Sequence, residues 1–179
     1  MGLYIFDYLE ILKFVVHFLP MKYRKLTKEQ FENLHEEFAK FLATQSIDAK
    51  EWKIIKADKP EVAEEEMDIF SDIVWEDVLT KVTFLEHFST NIINLFHCKN
   101  EVIERIVVKV TQKNINLLEK EGYEWLFKNV TSDAVEILKG SKSYDKERNQ
   151  ELFDLIEKGG YISKGALYGY FKTLITAAD

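Results

Sequence analysis

The chain has 179 residues, which is enough for one domain with a proper core and short for two. Its net charge of −7 argues against nucleic acid as a partner, because binding to a phosphate backbone usually requires a basic face. Cys98 is the only cysteine, so an internal disulfide and a thiolate metal cluster are both excluded, which fits a reducing compartment. We therefore expect a cytoplasmic protein.

The first twenty residues, MGLYIFDYLEILKFVVHFLP, are overwhelmingly apolar and are followed directly by a second methionine, Met21. No Lys or Arg precedes the apolar run, which argues against a secretory signal. A membrane span is disfavoured because Asp7, Glu10, Lys13 and His17 interrupt the run. These four share an arc of about 120° on a helical wheel. Residues 1–20 are thus predicted to be an amphipathic extension, with natural translation starting at Met21. The alternatives are a packed N-terminal helix and a membrane-surface anchor.

Three helices are predicted between residues 28 and 82. Thr27 and Gln30 have the spacing of a capping box, and apolar residues recur behind them at helical spacing through residue 44. Ser46 or Asp48 is expected to cap a second, short helix. Pro60 suits the first turn of a third helix, which is predicted to run from 61 to about 82.

The composition changes after residue 83, where β-branched and aromatic residues dominate three segments separated by short polar breaks. Residues 84–88, 92–98 and 102–111 are predicted to form a three-stranded antiparallel meander. The remaining elements are a helix at 119–128, an added strand at 134–139, a helix at 146–158 and a last helix after residue 163. Helices followed by a meander and further helices indicate an α+β fold, in a single domain spanning 21–179.

The third predicted helix carries four acidic residues spaced by four: Glu64, Asp68, Asp72 and Glu76. We call them the acidic ribbon. Like charges at this spacing destabilise a helix, so a basic partner, a metal ion or a packed basic element is expected to compensate them. A solvated helix face is the simpler alternative. Trp75 lies at the edge of the ribbon, which suits a protein contact better than a metal site, since one straight helix cannot converge carboxylates on an ion. The predicted partner-binding residues are therefore Glu64, Asp68, Asp72, Trp75 and Glu76.

The predicted meander contains a few polar residues whose alignment depends on strand register. If the first turn centres on Thr90, then Glu86, Asn94 and Arg105 fall in one cross-strand row. We interpret this row as a structural polar ladder. An anion site at Arg105 is the alternative.

The histidines and the cysteine of the meander do not predict a reaction. In the assumed register His87 and His97 lie about 13 Å apart, too far to share a metal ion. Cys98 and His97 are neighbours on a strand and point to opposite faces, so Cys98 is expected to be a packed thiol. The chain contains none of the common nucleotide, metal or nucleophile motifs. We predict no cofactor, no metal site and no catalytic residue, and the question of an enzyme stays open.

From Met21 onward the chain resembles a family of small uncharacterised bacterial proteins. The resemblance rests on five segments: MKYR at 21–24, ATQSIDA at 43–49, FSDIVWE at 70–76, GYEWL at 122–126 and ISKG at 162–165. It covers roughly residues 21–175 and implies no activity, because it is a likeness of the whole domain and includes no catalytic motif.

These observations favour a cytoplasmic interaction or adaptor protein that binds an unknown protein partner through the acidic ribbon. A small enzyme or ligand-binding domain with a site assembled from scattered residues is the alternative, and a membrane partner is expected only if residues 1–20 act as an anchor. An adaptor requires Glu64, Asp68, Asp72 and Trp75 to be exposed together. An enzyme or binding domain requires a concave pocket with convergent polar groups near the sheet.

Overall fold

A computed structural model describes residues 21–178 of the chain, and the amphipathic extension predicted for residues 1–20 lies outside them. The chain divides into two compact units, the first ending at Val78 and the second beginning at Leu79. The described residues contain seven helices and one five-stranded antiparallel sheet, which confirms the predicted α+β class. The expectation of a single domain from Met21 stays a prediction.

The first unit is helical. Its helices are α1 (Lys28–Asn33), α2 (His35–Thr44), α3 (Ala49–Asp58) and α4 (Pro60–Lys81), the last turn of which belongs to the second unit. The capping box of Thr27 and Gln30 is confirmed. Asp48 caps α3 by accepting hydrogen bonds from the N–H groups of Lys50 and Glu51. The helix predicted over 28–44 is broken at Leu34, whose φ of −106° and ψ of 23° are not helical.

Aromatic residues form the core of the first unit. The rings of Phe31, Phe38, Phe41 and Phe70 contact one another, with 5.0 Å between the centroids of Phe38 and Phe70. Trp52 of α3 meets Phe38 edge to face at 5.3 Å. The helical spacing of these residues brings their rings to one side of α1 and α2, where they bury large areas together.

The second unit is built on the sheet. Its strands are β1 (Phe84–Phe88), β2 (Ile92–Cys98), β3 (Val102–Val110), β4 (Val135–Ser143) and β5 (Tyr161–Ser163), in the order β4-β3-β2-β1-β5. The predicted meander is confirmed, and the added strand exists but runs four residues beyond its predicted end. β5 was not predicted because three residues are too few to show an alternating pattern.

The sheet has one apolar face and one polar face. On the apolar face, Ile93 and Leu95 pair with Val108 and Ile106, and all four are fully buried. This face packs against the helices α5 (Lys120–Lys128) and α7 (Ala166–Ala178) in one hydrophobic core. We call the opposite side the polar face; it carries His87, Asn94, Phe96, Arg105 and Val107. The cluster that contains these four residues therefore lies on the apolar side of the sheet, while Leu85, Cys98 and Ile103 are buried on the other side.

The polar ladder was predicted in the wrong register. The first hairpin pairs His87 with Asn94, and the N–H of Ser89 donates to the carbonyl of Ile92 at 2.8 Å, so two residues form the turn. A shift of one residue moves Glu86 to the apolar face, where its carboxylate accepts a hydrogen bond from Tyr161 at 3.0 Å. The second hairpin also differs from the prediction, because Arg105 pairs with Phe96 and Asn94 pairs with Val107. Arg105 still contacts Asn94, since its side chain reaches diagonally across the same face.

His87 and His97 lie on opposite faces of the sheet. His87 contacts Asn94 on the polar face, whereas His97 stacks on Phe84 on the apolar face with 4.6 Å between ring centroids. The two imidazoles thus belong to different environments.

Arg148, the first residue of α6 (Arg148–Glu157), binds several backbone carbonyls at once. Its guanidinium donates to the carbonyls of Leu79 and Val82 at the end of α4, and to those of Cys98 and Lys99 after β2. A fifth bond, of 2.9 Å, goes to the side chain of Asn149. Every N–H group of the guanidinium is thereby used.

Substituting Arg148 is expected to destabilise the second unit. Arg148→Lys keeps the charge but offers three donors in place of a planar fork, so several carbonyls lose their partner. We expect a loss of about 2–4 kcal/mol in the free energy of unfolding, measured by urea denaturation. Lys164→Met, at an exposed position of the same unit, is the control and should change stability by less than about 0.5 kcal/mol. Equal stability of the two variants would contradict the proposed role of Arg148.

Candidate functional site

The acidic ribbon is covered by a segment of the chain that precedes α1. Asp72 accepts hydrogen bonds from the backbone N–H groups of Lys22 and Tyr23 at 2.7 and 2.8 Å. One oxygen of Glu76 accepts from the ammonium of Lys22 at 3.0 Å and from the hydroxyl of Tyr23 at 2.6 Å. Burial and the bond to Glu76 raise the pKa of Tyr23 above its ordinary value. A packed basic element, which is one of the three compensating groups predicted for the ribbon, is therefore present.

The rest of the ribbon is held in the same way. Lys25 forms ion pairs with Asp68, at 2.8 Å, and with Glu64. Although burial acts to lower it, these carboxylates raise the pKa of Lys25. Trp75 is only 8% exposed and donates its indole N–H to the carbonyl of Arg24 at 3.0 Å.

The predicted partner-binding residues therefore lie together, as expected, but do not form an open acidic surface. Trp75 is buried, and Glu64, Asp68, Asp72 and Glu76 all contact residues 22–25. An adaptor surface required these side chains to be exposed together. The adaptor hypothesis thus stays a prediction. The feature that first favoured it, exposure of all these side chains together, is missing.

Removing the carboxylate of Asp72 is expected to release the segment that covers the ribbon. Asp72→Ala leaves the N–H groups of Lys22 and Tyr23 without their acceptors, which should lower stability by about 1–3 kcal/mol. Amide hydrogen exchange measures the effect directly, because these two amides should lose protection. Glu65→Ala, on the exposed side of the same helix, is the matched control. Unchanged protection of both amides in Asp72→Ala would refute this arrangement.

The second unit contains a cavity of about 780 Å³ on the polar face of the sheet. This volume is in the range of small-molecule sites. Its walls come from strands β1 to β4, from α6 and from the loop between β4 and α6. The lining residues used below are His87, Asn94, Phe96, Arg105, Val107, Leu138, Gly140 and Leu155.

Arg105 is held in position in the cavity wall by its neighbours on β2. Its Nε–H donates to the side-chain oxygen of Asn94 at 3.1 Å, and a second guanidinium N–H donates to the same atom. The guanidinium carbon lies 5.7 Å from the ring centroid of Phe96, in cation–π geometry. Asn94 and Phe96 are both buried, so they form a rigid support for an exposed cation.

The contact with Arg105 also fixes the orientation of Asn94 and the tautomer of His87. Because a guanidinium only donates hydrogen bonds, the oxygen of the Asn94 amide must face Arg105. The amide NH₂ then faces Nδ1 of His87 at 3.3 Å. Nδ1 accepts that bond, so neutral His87 carries its proton on Nε2.

The charges around the cavity are partly paired. Five cationic and three acidic residues line it, although the whole chain has a net charge of −7. Lys142 pairs with Glu151 and Lys146 pairs with Asp154, each at 2.7 Å. Among the residues that the structure describes, Arg105 and Lys158 form no ion pair. Lys139 forms none either, but it pairs with Ile106 and its side chain therefore lies on the opposite face of the sheet. The cavity thus offers positive charge to an anion.

Sequence reasoning found only part of this site. The contact between Asn94 and Arg105 was anticipated, because both positions lie on one face of adjacent strands. His87 was missed because of the register error. The residues of β4 and α6 were missed because nothing in the sequence shows which strand β4 pairs with or where α6 packs.

Two further titratable groups of the second unit, Glu104 and Cys98, have pKa values that are shifted by their surroundings. Hydrogen bonds from Lys99 and Tyr168, and a weaker one from His97, lower the pKa of Glu104 to about 2. Burial raises the pKa of Cys98 to about 12, despite the nearby charge of Arg148. Cys98 is therefore a packed thiol, as predicted.

The low pKa of Glu104 is expected to make stability depend on pH. In the unfolded chain this carboxyl titrates near 4.5, so unfolding takes up a proton as the pH falls from there towards 2. Stability should decline across that window, and Glu104→Gln should show a smaller decline together with lower stability at neutral pH. Urea denaturation at about pH 6 and about pH 3 measures both effects. Glu101→Gln, in the exposed turn after β2, should retain the wild-type decline; an equal decline in Glu104→Gln would exclude this role.

The described residues contain neither a clustered metal site nor a helix suited to crossing a membrane. Between residues 21 and 178, no group of three or more His, Cys, Asp or Glu side chains is arranged to hold a metal ion. No helix in that range has both the length and the apolar content that crossing a membrane requires.

The fold and the cavity define an α+β protein with an open, partly cationic cleft on one face of an antiparallel sheet. A profile of the family of unknown function DUF6495 matches residues 21–176. The chain belongs to this family, which confirms the resemblance to an uncharacterised family from Met21 onward. No curated protein and no solved structure matches the chain.

Proposed function

We propose that the second unit binds a small organic anion in the cavity on the polar face of the sheet, in a protein of the cytoplasm. The proposal rests on the position and the contacts of Arg105. Its guanidinium lines the cavity, is held by Asn94 and Phe96, and has no carboxylate partner among the described residues.

A planar guanidinium recognises carboxylate and phosphate groups through paired hydrogen bonds. The bonds to Asn94 use Nε–H and one Nη–H, so the remaining N–H donors are available to a ligand. Because Asn94 and Phe96 hold the side chain in place, little conformational entropy is lost on binding. Preorganisation of this kind favours a binding role over a solvated surface arginine.

The cavity supports the ligand-binding alternative more than the adaptor role. The acids of the ribbon contact the chain's own residues 22–25, whereas two cations of the cavity, Arg105 and Lys158, lack an ion pair within residues 21–178. Binding of an unknown protein to the ribbon would require displacement of that segment. The proposal concerns binding and assigns no reaction.

An NMR titration of the full chain with inorganic phosphate tests the proposed function. We expect saturable shifts of the backbone amides around Asn94, Arg105 and Gly140, with a dissociation constant of about a millimolar at low ionic strength. Arg105→Gln should weaken binding by about tenfold or more, because it removes a charged donor.

Lys109→Gln provides a matched control for this titration. Lys109 lies on the same strand and the same face as Arg105, but it pairs with Glu136 at 2.9 Å and does not line the cavity. Its substitution should leave phosphate affinity unchanged. Absence of saturable shifts, or equal effects of the two substitutions, would refute anion binding at Arg105.

A further inference from the structure

We infer that the anion bound at Arg105 carries a flat apolar body, and that this body lies over Gly140 and against Leu138. The inference rests on the proposed anion site and adds to it the chemical class of the ligand: an aromatic carboxylate, or another aromatic anion of similar shape. Gly140 is then a specificity-determining residue that leaves room for the ring system.

Gly140 occupies a position where the fold does not need a glycine. It lies inside strand β4, where glycine weakens a strand, and its φ is not positive. A Cβ atom built on Gly140 would meet no heavy atom within 4 Å. By contrast, a Cβ atom on Gly122 would lie 1.9 Å from the carbonyl oxygen of Asn116. Sterics therefore explains Gly122, whereas neither sterics nor backbone conformation explains Gly140.

The position of Gly140 in the sheet explains why a glycine is present, which sterics does not. Gly140 pairs directly with Arg105, so a side chain at position 140 would stand about 5 Å from Arg105 on the same face. Glycine keeps that side of the guanidinium open. Gly169 of α7 has equally open surroundings but does not line the cavity. An interior strand glycine beside an unpaired arginine is typical of close approach by a ligand.

The next row of the sheet provides an apolar surface for the ligand. Leu138 pairs with Val107, and both line the cavity on the face that carries Arg105 and Gly140. Leu138 is 60% exposed, so its apolar surface is available to a ligand. Leu155 of α6 lines the cavity as well. The free apolar surface thus begins directly beside the cation.

The spacing of the two rows sets the size of the ligand. Residues two apart on a strand are separated by about 6.6–6.8 Å. A ligand whose anionic group lies on Arg105 and whose rings reach Leu138 must span that distance. A single aromatic ring or two fused rings bearing a carboxylate match this distance.

Acetate and naphthoate are matched probes, because they share a carboxylate and differ in the flat apolar body. We expect naphthoate to bind the full chain at least about tenfold more tightly than acetate, as measured by NMR titration or by calorimetry. Gly140→Val should remove most of that preference, because its side chain fills the space beside Arg105. Leu138→Ser should reduce the preference through loss of apolar contact.

The control for Gly140→Val is Ser143→Val, which places the same side chain on β4 but on the opposite face and outside the cavity. Ser143→Val should leave the affinity for naphthoate unchanged. Gly140→Val should unfold at the same temperature as the wild type or higher, because valine favours a strand more than glycine does. Loss of binding without loss of stability would separate a ligand effect from misfolding.

The outcomes distinguish this inference from the proposed function. If Arg105→Gln weakens both acetate and naphthoate, but Gly140→Val and Leu138→Ser leave the preference for naphthoate intact, the apolar body lies elsewhere and the inference is wrong. Equal affinities of the two probes for the wild type would also overturn it. If Arg105→Gln affects neither probe, anion binding at Arg105 fails, and the inference fails with it.

Discussion

The guanidinium of Arg148 is the constraint on which the second unit depends most. It binds carbonyls at the end of α4 and at the end of β2, which lie between 49 and 69 positions before it in the chain. Only arginine offers five donors in a planar fork, so no other side chain meets this requirement. Because Arg148 is also the first residue of α6, the same bonds fix where α6 starts. The cavity follows from that position, since Glu151, Asp154 and Leu155 of α6 form one of its walls.

The two units use charge in opposite ways. In the first unit, carboxylates that would repel one another along α4 are matched by ammonium groups and backbone N–H groups of residues 22–25. In the second unit, some cations of the cavity are paired, and Arg105 is instead supported by an amide and an aromatic ring. A charge supported by neutral groups remains able to attract a ligand, whereas a charge neutralised by a counter-ion is already satisfied. Because of this difference, the cavity is a stronger candidate for a binding site than the acidic ribbon.

Local sequence signals predicted most of the elements, because caps, helical spacing and β-branched runs act over a few residues. The capping box at Thr27 and the three strands of the meander are examples. The register failed by one residue in the first hairpin and by two in the second, because it depends on the exact length of each turn, which the pattern of the strands does not reveal. The covering of Asp72 could not be predicted, since residues 22–25 have no periodicity and reach it across some fifty positions. The cavity could not be predicted for a similar reason, because it depends on both the pairing of β4 with β3 and the placement of α6.

The single cysteine of the chain lies at the junction held by Arg148. Cys98 is 3% exposed, its own carbonyl accepts a bond from the guanidinium, and its thiol stays protonated at neutral pH. A thiol reagent can therefore reach it only when this part of the sheet opens. The rate at which a thiol reagent labels Cys98 therefore reports how often the second unit opens. It can be measured in the native protein without any engineered probe.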